Sequence, residues 1–503
     1  MADPLWLTWL LIPFGFMVAY GAIPHMMAVA ARYGFMSAPG GRRSHPRPTP
    51  LLGGVAIYAP FAIVFLCFLI LRLSGALVFE QPSVAKMVTL FVGATWILIL
   101  GTLDDREQIG WPKKLIGQFL AALILVLGGH TVAVATVPFA GPVDFGWFGP
   151  PLLIMAVILL TNAINLIDGL DGLAGGICFF AALTSGVIAV VKGDAFTATV
   201  AFTISGALLG FLVFNFPPAS IFMGDGGSMM TGFVLATLAT SSAAVSPGQR
   251  LGTILVLVAP FLPFGIPVFE VGLSITRRWI RGQAIFLGDG NHLHHRLIGR
   301  IKNPRLTVGV FYFFSAALCA LTLFIVLQIK APSLTIVAGL TVLILFGGAL
   351  ASLRLYRIEN LVDTIRNRRH FKFLGGFLGF MKQRLKRAGS LSELLELLES
   401  GVKDLAFDSV EVLYRGETIK KWSNPRPIHV GSPRIHSEET FDESHLTVKW
   451  ARPAHDDDCY NEYLMLTWHR FLNAFKDEMA LHTGEVSRPA SRKVVEFTSK
   501  LPK

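Results

Sequence analysis

Eleven apolar runs of about twenty residues, each bounded by polar or Gly/Pro segments, constrain this 503-residue chain more than any other feature. A hydrocarbon core roughly 30 Å thick is crossed by about 20 helical residues, so a chain carrying many such runs calls for lipid as its solvent. The runs lie near 5–31, 51–73, 85–103, 115–136, 150–167, 173–191, 196–214, 228–246, 251–273, 306–328 and 333–353. The first lacks a basic leader and a small-residue cleavage site and is too long for a secretory signal, so it reads as a retained span. With 53% hydrophobic and 15% charged residues, the chain has too little charge for an ordinary soluble surface.

Charge then orients the runs. The odd-numbered loops carry fourteen Lys and Arg: Arg32, Arg42, Arg43, Arg47, Arg106, Lys113, Lys114, Arg277, Arg278, Arg281, Arg296, Arg300, Lys302 and Arg305. The even loops carry five, Arg72, Lys86, Lys192, Arg250 and Lys330. The bias predicts odd loops in the cytoplasm, the N-terminus outside and the segment after Leu353 inside. The net charge of +11 clusters beside apolar runs, which points to anionic lipid rather than nucleic acid. Cys67, Cys178, Cys319 and Cys459 are scattered, with neither a disulfide framework nor a zinc spacing, and read as packing residues.

Only twelve acidic residues precede Leu353, while the last 150 residues hold twenty-one, so a second region has a different solvent. Basic residues alternate with Phe and Leu from Arg354 to Arg387, as in a helix lying on an anionic leaflet or in a solvated basic linker. Helical patterns follow over 391–405 and 460–481, with strand patterns at 409–414 and 445–450. The expected architecture is an all-α polytopic membrane protein of about eleven transmembrane helices with a small C-terminal cytoplasmic α+β domain. Its parts are a core over 1–355, a basic interfacial segment over 356–389, the small domain over 390–485 and a disordered end over 486–503.

Carboxylates at a membrane edge are costly and mark candidate sites. Asp104 and Asp105 fall in the third loop, Asp168 and Asp171 in the fifth and Asp225 in the seventh, all predicted to be cytoplasmic. Asn162, Asn165, Asp168 and Asp171 recur every three residues, which places them near one face at a helix end. Helix capping accounts for one such residue but not four. Asp104 and Asp105 set like charges side by side, which suits a hard divalent ion or, equally, a solvated turn beside Arg106.

Met223-Gly224-Asp225-Gly226-Gly227-Ser228 opens a span, and glycine with helix-start amides favours phosphate. His292, His294, His295 and Arg296 follow Asp289 and Asn291. Three histidines in four positions allow zinc, but an arginine among them favours a diphosphate. Together these groups imply phosphoryl chemistry, with a lipid as one substrate.

Five ordered motifs carry a resemblance. They are His45 with Thr49-Pro50 and Gly53-Gly54, Gly101 to Arg106 (GTLDDR), Thr161 to Gly176 (TNAINLIDGLDGLAGG), Phe222 to Met229 (FMGDGGSM) and His292 to Leu297 (HLHHRL). The chain resembles the polyprenyl-phosphate N-acetylhexosamine-1-phosphate transferases of glycosyltransferase family 4, over about residues 32–300 by motif. The resemblance implies that a lipid phosphate attacks the β-phosphate of a UDP-amino sugar and releases UMP. It implies Mg²⁺, or Mn²⁺ in its place, on Asn165 and Asp225, and catalytic roles for Asp104, Asp105, Asp168 and Asp171 at the lipid phosphate and nucleotide sugar. Asn162, His45, Gly53, Gly54, His292, His294, His295 and Arg296 would bind substrate.

The HLHHR form is similar to the branch that uses UDP-GlcNAc rather than the muramoyl-pentapeptide nucleotide. Ser37, Leu51 and Gly290 depart from the family's usual Asp, basic residue and Arg. The implied setting is the cell membrane, with a cytoplasmic active site and no nucleic-acid partner; a homodimer is compatible with it. A secondary transporter is the rival reading, because transporters also bury carboxylates and break helices with glycine.

Overall fold

The computed structural model describes residues 5–37, 48–75, 82–132, 134–137, 141–242, 259–280, 293–327, 368–424, 434–441, 445–453 and 458–483. The chain divides into two compact units, one of residues 1–275 and 288–356, the other of 276–287 and 357–503.

The first unit is mainly helical: α1 (Leu11–Tyr33), α2 (Gly53–Leu73), α3 (Val84–Glu107), α4 (Trp111–Leu127), α5 (Gly149–Ile167), α6 (Leu173–Lys192), α7 (Ala195–Asn215), α8 (Gly224–Ser242), α9 (Gly265–Ile280), α10 (Leu293–Ile301) and α11 (Pro304–Leu327), with a short antiparallel pair of β1 (Met36–Ser37) and β2 (Thr49–Pro50) between α1 and α2. Among the described residues seven helices are long and apolar enough to cross a membrane: Leu7–Tyr33, Gly53–Leu73, Val84–Glu107, Gly146–Ile167, Leu173–Lys192, Ala195–Asn215 and Pro304–Val326. The protein is therefore a multi-pass membrane protein.

The other four expected spans fare differently. α4 has only 17 residues, because Gly128 and Gly129 end it before an antiparallel hairpin of β3 (Val134–Val137) and β4 (Gly141–Asp144), where a continued helix was expected to 136. α8 has span length but carries Gly, Ser and Thr along its course. The run at 251–273 becomes, in its described part, a 3₁₀ turn at Ala259–Phe264 that contains Pro263, followed by α9. The run at 333–353 and the expected disordered end at 486–503 lie outside the described residues.

Small residues set how closely the helices approach. A β-carbon on Gly101 of α3 would come within 2.5 Å of the Gly226 Cα on α8, and Gly54 of α2 meets Gly227 of α8 closely enough to exclude any side chain. The first amides of α2, Gly53 and Gly54, donate to the Phe222 and Met223 carbonyls at 2.9 Å each, so the start of α2 is capped by the approach to α8. Close backbone contact of this kind is how helices associate where lipid offers no hydrophobic drive. Helices α6 and α7 are the most buried of the spanning set, with α1, α2, α3 and α5 around α8 and α7.

In the second unit, β5 (Ser409–Tyr414), β6 (Glu417–Ser423), β7 (Arg434–Phe441) and β8 (Leu446–Pro453) form one antiparallel sheet in the order β6-β5-β8-β7. Alternate residues Val410, Val412, Leu446, Val448 and Trp450 face a core shared with α12 (Arg368–Arg387), α13 (Leu391–Asp404) and α14 (Asp458–Thr483). Trp468, Phe471 and Phe475 of α14 are fully enclosed there. The opposite face carries an alternating ladder, Lys421–Glu411–Lys449–Glu438, one residue from each strand in register. Ser390 starts α13 by accepting the Glu393 amide at 3.2 Å, and the Glu393 carboxylate accepts the Gly389 amide at 2.8 Å.

Candidate active site

The site begins with helix α3 continuing to Glu107, so that Asp104 and Asp105 stand in its last turn rather than in a loop. Two adjacent carboxylates at a helix C-terminus oppose its dipole, and the helix persists because each is engaged by a different partner. Asp105 accepts the amides of Asp225 (Oδ1, 2.9 Å) and Gly226 (Oδ2, 3.3 Å). Its carboxylate caps α8 from a neighbouring helix. The expectation that these helix-start amides stand ready for phosphate is thereby corrected: two of them are already held by Asp105, with the left-handed Gly224 (φ 72°) turning the chain into place.

Asp104, one residue earlier, points elsewhere. Its Oδ2 accepts Lys114 Nζ at 2.5 Å, and the same ammonium lies 2.7 Å from Asp225 Oδ2. Asp104 and Asp225 therefore face each other across one lysine, with Asn165 against Asp225 as well. Two partly buried carboxylates this close are tolerable only with a cation between them. Asn165 also donates to Ser228 Oγ at 2.9 Å, and Ser228 donates back to the Gly224 carbonyl at 3.0 Å, which locks the first turn of α8.

The oxygens here have the chemistry of a hard divalent ion's ligands, although among the described residues no three His, Cys, Asp or Glu side chains cluster as a metal site. Asp104 Oδ1 is buried and has no hydrogen-bond partner among the described residues. With Asp225 and the amide oxygen of Asn165 it provides the oxygen chemistry such ions prefer, at a point already organised around positive charge.

The three-residue series is not one cluster. Asn162 and Asn165 lie on α5, but the helix ends at Ile167, and Asp168 caps it with a non-helical ψ of 43°. Asn162 exchanges bonds with Gln118, donating at 2.7 Å and accepting at 3.3 Å. Asp171 lies beyond the turn and accepts the Ala219 amide at 2.9 Å. Its carboxylate thus organises a backbone segment, and the reading of four side chains on one face is corrected, because the face ends with the helix. Gly172 in the same turn is held from both sides: its amide donates to Asn215 Oδ1 at 2.9 Å and its carbonyl accepts Tyr312 at 2.6 Å.

Gly53 and Gly54, expected at substrate, are packed against protein, Gly53 against the Phe211 ring of α7 and the Phe222 carbonyl and Gly54 against Gly227 of α8. Their amides are taken by protein carbonyls and their missing side chains admit Phe222 and Gly227. His45 and His292 lie outside the described residues. His294, His295 and Arg296 fall on α10, where Arg296 is half-buried.

Three contributors were passed over in the sequence. Lys114 was counted only as a loop charge, and Gln118 not at all. They are four residues apart on α4 and so share the face turned to Asp104, Asp225 and Asn162, a spacing that could have flagged them. Glu270, on the apolar helix α9, is 2% exposed and accepts the Leu293 amide at 2.9 Å. A carboxylate buried in such a helix is expensive, and this one fixes the start of α10, the helix that bears His294, His295 and Arg296.

Fold and site together define a polytopic membrane protein whose spanning helices converge on a carboxylate–lysine cluster suited to phosphate chemistry. A family model described as "Glycosyl transferase family 4" matches residues 87–243, which include α3 from Met87 onward and all of α4 to α8. A "Probable undecaprenyl-phosphate N-acetylglucosaminyl 1-phosphate transferase" of Bacillus subtilis is 33% identical over 290 residues, 58% of this chain and 76% of that protein. A "Decaprenyl-phosphate N-acetylglucosaminephosphotransferase" of Mycobacterium tuberculosis is 33% identical over 315 residues, 59% of this chain and 77% of that protein. A "Phospho-N-acetylmuramoyl-pentapeptide-transferase" of Moorella thermoacetica is 33% identical over 299 residues, 56% and 86% of the two chains. The chain belongs to glycosyl transferase family 4. These relatives are all named as transferases, and the transporter reading has no support among them.

Proposed function

We propose that this protein transfers N-acetylglucosamine 1-phosphate from UDP-GlcNAc to a polyprenyl phosphate, in the cell membrane and from its cytoplasmic face. The observation that carries the reading is the Asp104–Lys114–Asp225 bridge, positioned by Asp105 and Asn165, in a chain similar to polyprenyl-phosphate transferases. In the transfer an oxygen of the lipid phosphate bonds to the β-phosphorus of the UDP-sugar. The bridging P–O bond to the α-phosphate breaks, and its electron pair leaves on UMP. The product is a polyprenyl diphospho-sugar of the kind that starts an envelope glycan.

Asn165, Asp225 and the buried Asp104 Oδ1 would hold a Mg²⁺ ion, which when bound neutralises phosphate charge and polarises the P–O bonds. Lys114 supplies a second positive charge for the diphosphate. Asp105 keeps Asp225 on its helix turn, and Asp168 and Asp171 shape the turn at the end of α5. His294, His295 and Arg296 would meet the donor diphosphate on a helix held by Glu270. The fuller topology is eleven spans, with odd loops and the C-terminal unit in the cytoplasm, supported by the fourteen-to-five bias of Lys and Arg.

Purified protein given polyprenyl phosphate, UDP-GlcNAc and Mg²⁺ is expected to release one UMP per lipid-linked sugar. A chelator should stop the release, and Mg²⁺ or Mn²⁺ should restore it. Failure with every UDP-amino sugar would sink the reading, and preference for the muramoyl-pentapeptide nucleotide would move the chain to the other branch of its family.

Glu270 gives a further expected result. Glu270→Leu leaves the Leu293 amide unpaired and should raise KM for the nucleotide sugar about tenfold, with a smaller change in KM for the lipid. Glu270→Gln keeps an acceptor oxygen and should restore most of the difference. Equal loss in both variants would remove the hydrogen bond from the explanation.

A further inference from the structure

Helix α12 carries seven Lys and Arg and no Asp or Glu between Arg368 and Arg387. Its core stripe is already used: Leu374, Phe377, Met381 and Leu385 are buried within the second unit. The simple picture of an amphipathic helix resting its apolar face on lipid therefore does not apply.

A second stripe remains. Phe373, Phe380, Arg384 and Arg387 recur at intervals of seven, four and three, which places them along one side of the helix. Phe373 is 53% and Phe380 59% exposed, large values for phenylalanine in a folded unit. The Arg384 guanidinium lies 5.7 Å from the Phe380 ring centre, and Gly376 between the two phenylalanines has open space where a side chain would be.

We infer that this aromatic–basic stripe of α12 is a docking surface for an anionic lipid leaflet. Charge complementarity is the first reason: phenylalanine flanked by arginine is the pairing that enters the boundary between headgroups and acyl chains of acidic membranes. Size is the second. Two rings set about 10 Å apart along a helix make a narrow ridge that a bilayer accepts, whereas a stable protein partner needs about 800 Å² on each side.

Tethering is the third reason. The apolar run at 333–353 ends fifteen residues before Arg368. A tether of that length reaches at most about 50 Å even when fully extended, so a leaflet is always within reach of α12. The inference concerns the second unit and does not depend on the transfer reaction.

The test uses the full-length protein in vesicles of phosphatidylcholine and phosphatidylglycerol. Phe380 is replaced by the photo-reactive analogue p-benzoylphenylalanine, and in a separate protein Glu417, exposed on β6, is replaced in the same way. On irradiation, position 380 is expected to gain a phospholipid adduct at least five times more often than position 417. The yield at 380 should fall at least threefold in vesicles of phosphatidylcholine alone, an arm that needs no further substitution. Arg384→Gln with Arg387→Gln should lower it in the mixed vesicles. Equal lipid yield at both positions, indifference to phosphatidylglycerol, or adducts at 380 consisting of protein would each overturn the inference.

Discussion

Asp225→Asn lowers kcat by about 10³-fold, with the protein still inserted and folded. Asparagine keeps the size of the side chain and leaves the Asp225 amide on Asp105, so the start of α8 is preserved. What disappears is one of the two negative charges around Lys114 and one oxygen donor for a divalent ion. The measurement is single-turnover UMP release at saturating substrates, together with thermal unfolding in detergent. Unfolding should move by no more than a few degrees, while the Mg²⁺ concentration for half-maximal residual activity rises. Near-wild-type turnover would remove Asp225 from the centre of the chemistry.

Lys114→Met should cost both activity and stability. Methionine leaves Asp104 and Asp225 facing each other with no counter-charge, and breaking a partly buried ion pair from one side destabilises by about 3 kcal/mol. Adding Asp104→Asn to this variant removes the repulsion and should return most of the thermal stability while leaving turnover lost. If the lysine served only as a structural counter-ion, the double variant would regain activity with stability. Divalent ions should protect the single variant against heat far more than they protect the wild-type protein, since they supply the missing positive charge.

Long apolar runs made the membrane character and most span positions legible in the sequence, because lipid imposes length and composition with few exceptions. Where the reading slipped, local chemistry had overridden hydropathy. The run through α4 looked long enough to reach 136, yet Gly128 and Gly129 let the chain turn into a hairpin. Strands β6 and β7 were missed because both are edges of their sheet and carry polar residues with no clean alternation. The inner strands, half-buried, showed the pattern plainly.

At the site, the acidic positions stood out because carboxylates are rare in such surroundings. Which carboxylate does what was not legible. Asp104 and Asp105 are neighbours in sequence but point to different helices, one to the lysine of α4 and the other to amides of α8. That division depends on how α3 is rotated against its neighbours, and the rotation is fixed by Gly101 resting on Gly226. The glycines of α8 read as a phosphate-binding feature, and those of α2 as substrate-binding through the family resemblance; in the structure Gly54 and Gly227 lie at the contact between the two helices.

Glu270 bears on how the protein is made. Its hydrogen-bond partner Leu293 lies 23 residues further along the chain. As the polypeptide emerges from the ribosome, α9 is made before the Leu293 amide that Glu270 accepts. The start of α10 can therefore take its final form only once α9 is in place, which ties the helix bearing His294, His295 and Arg296 to its predecessor in the order of synthesis.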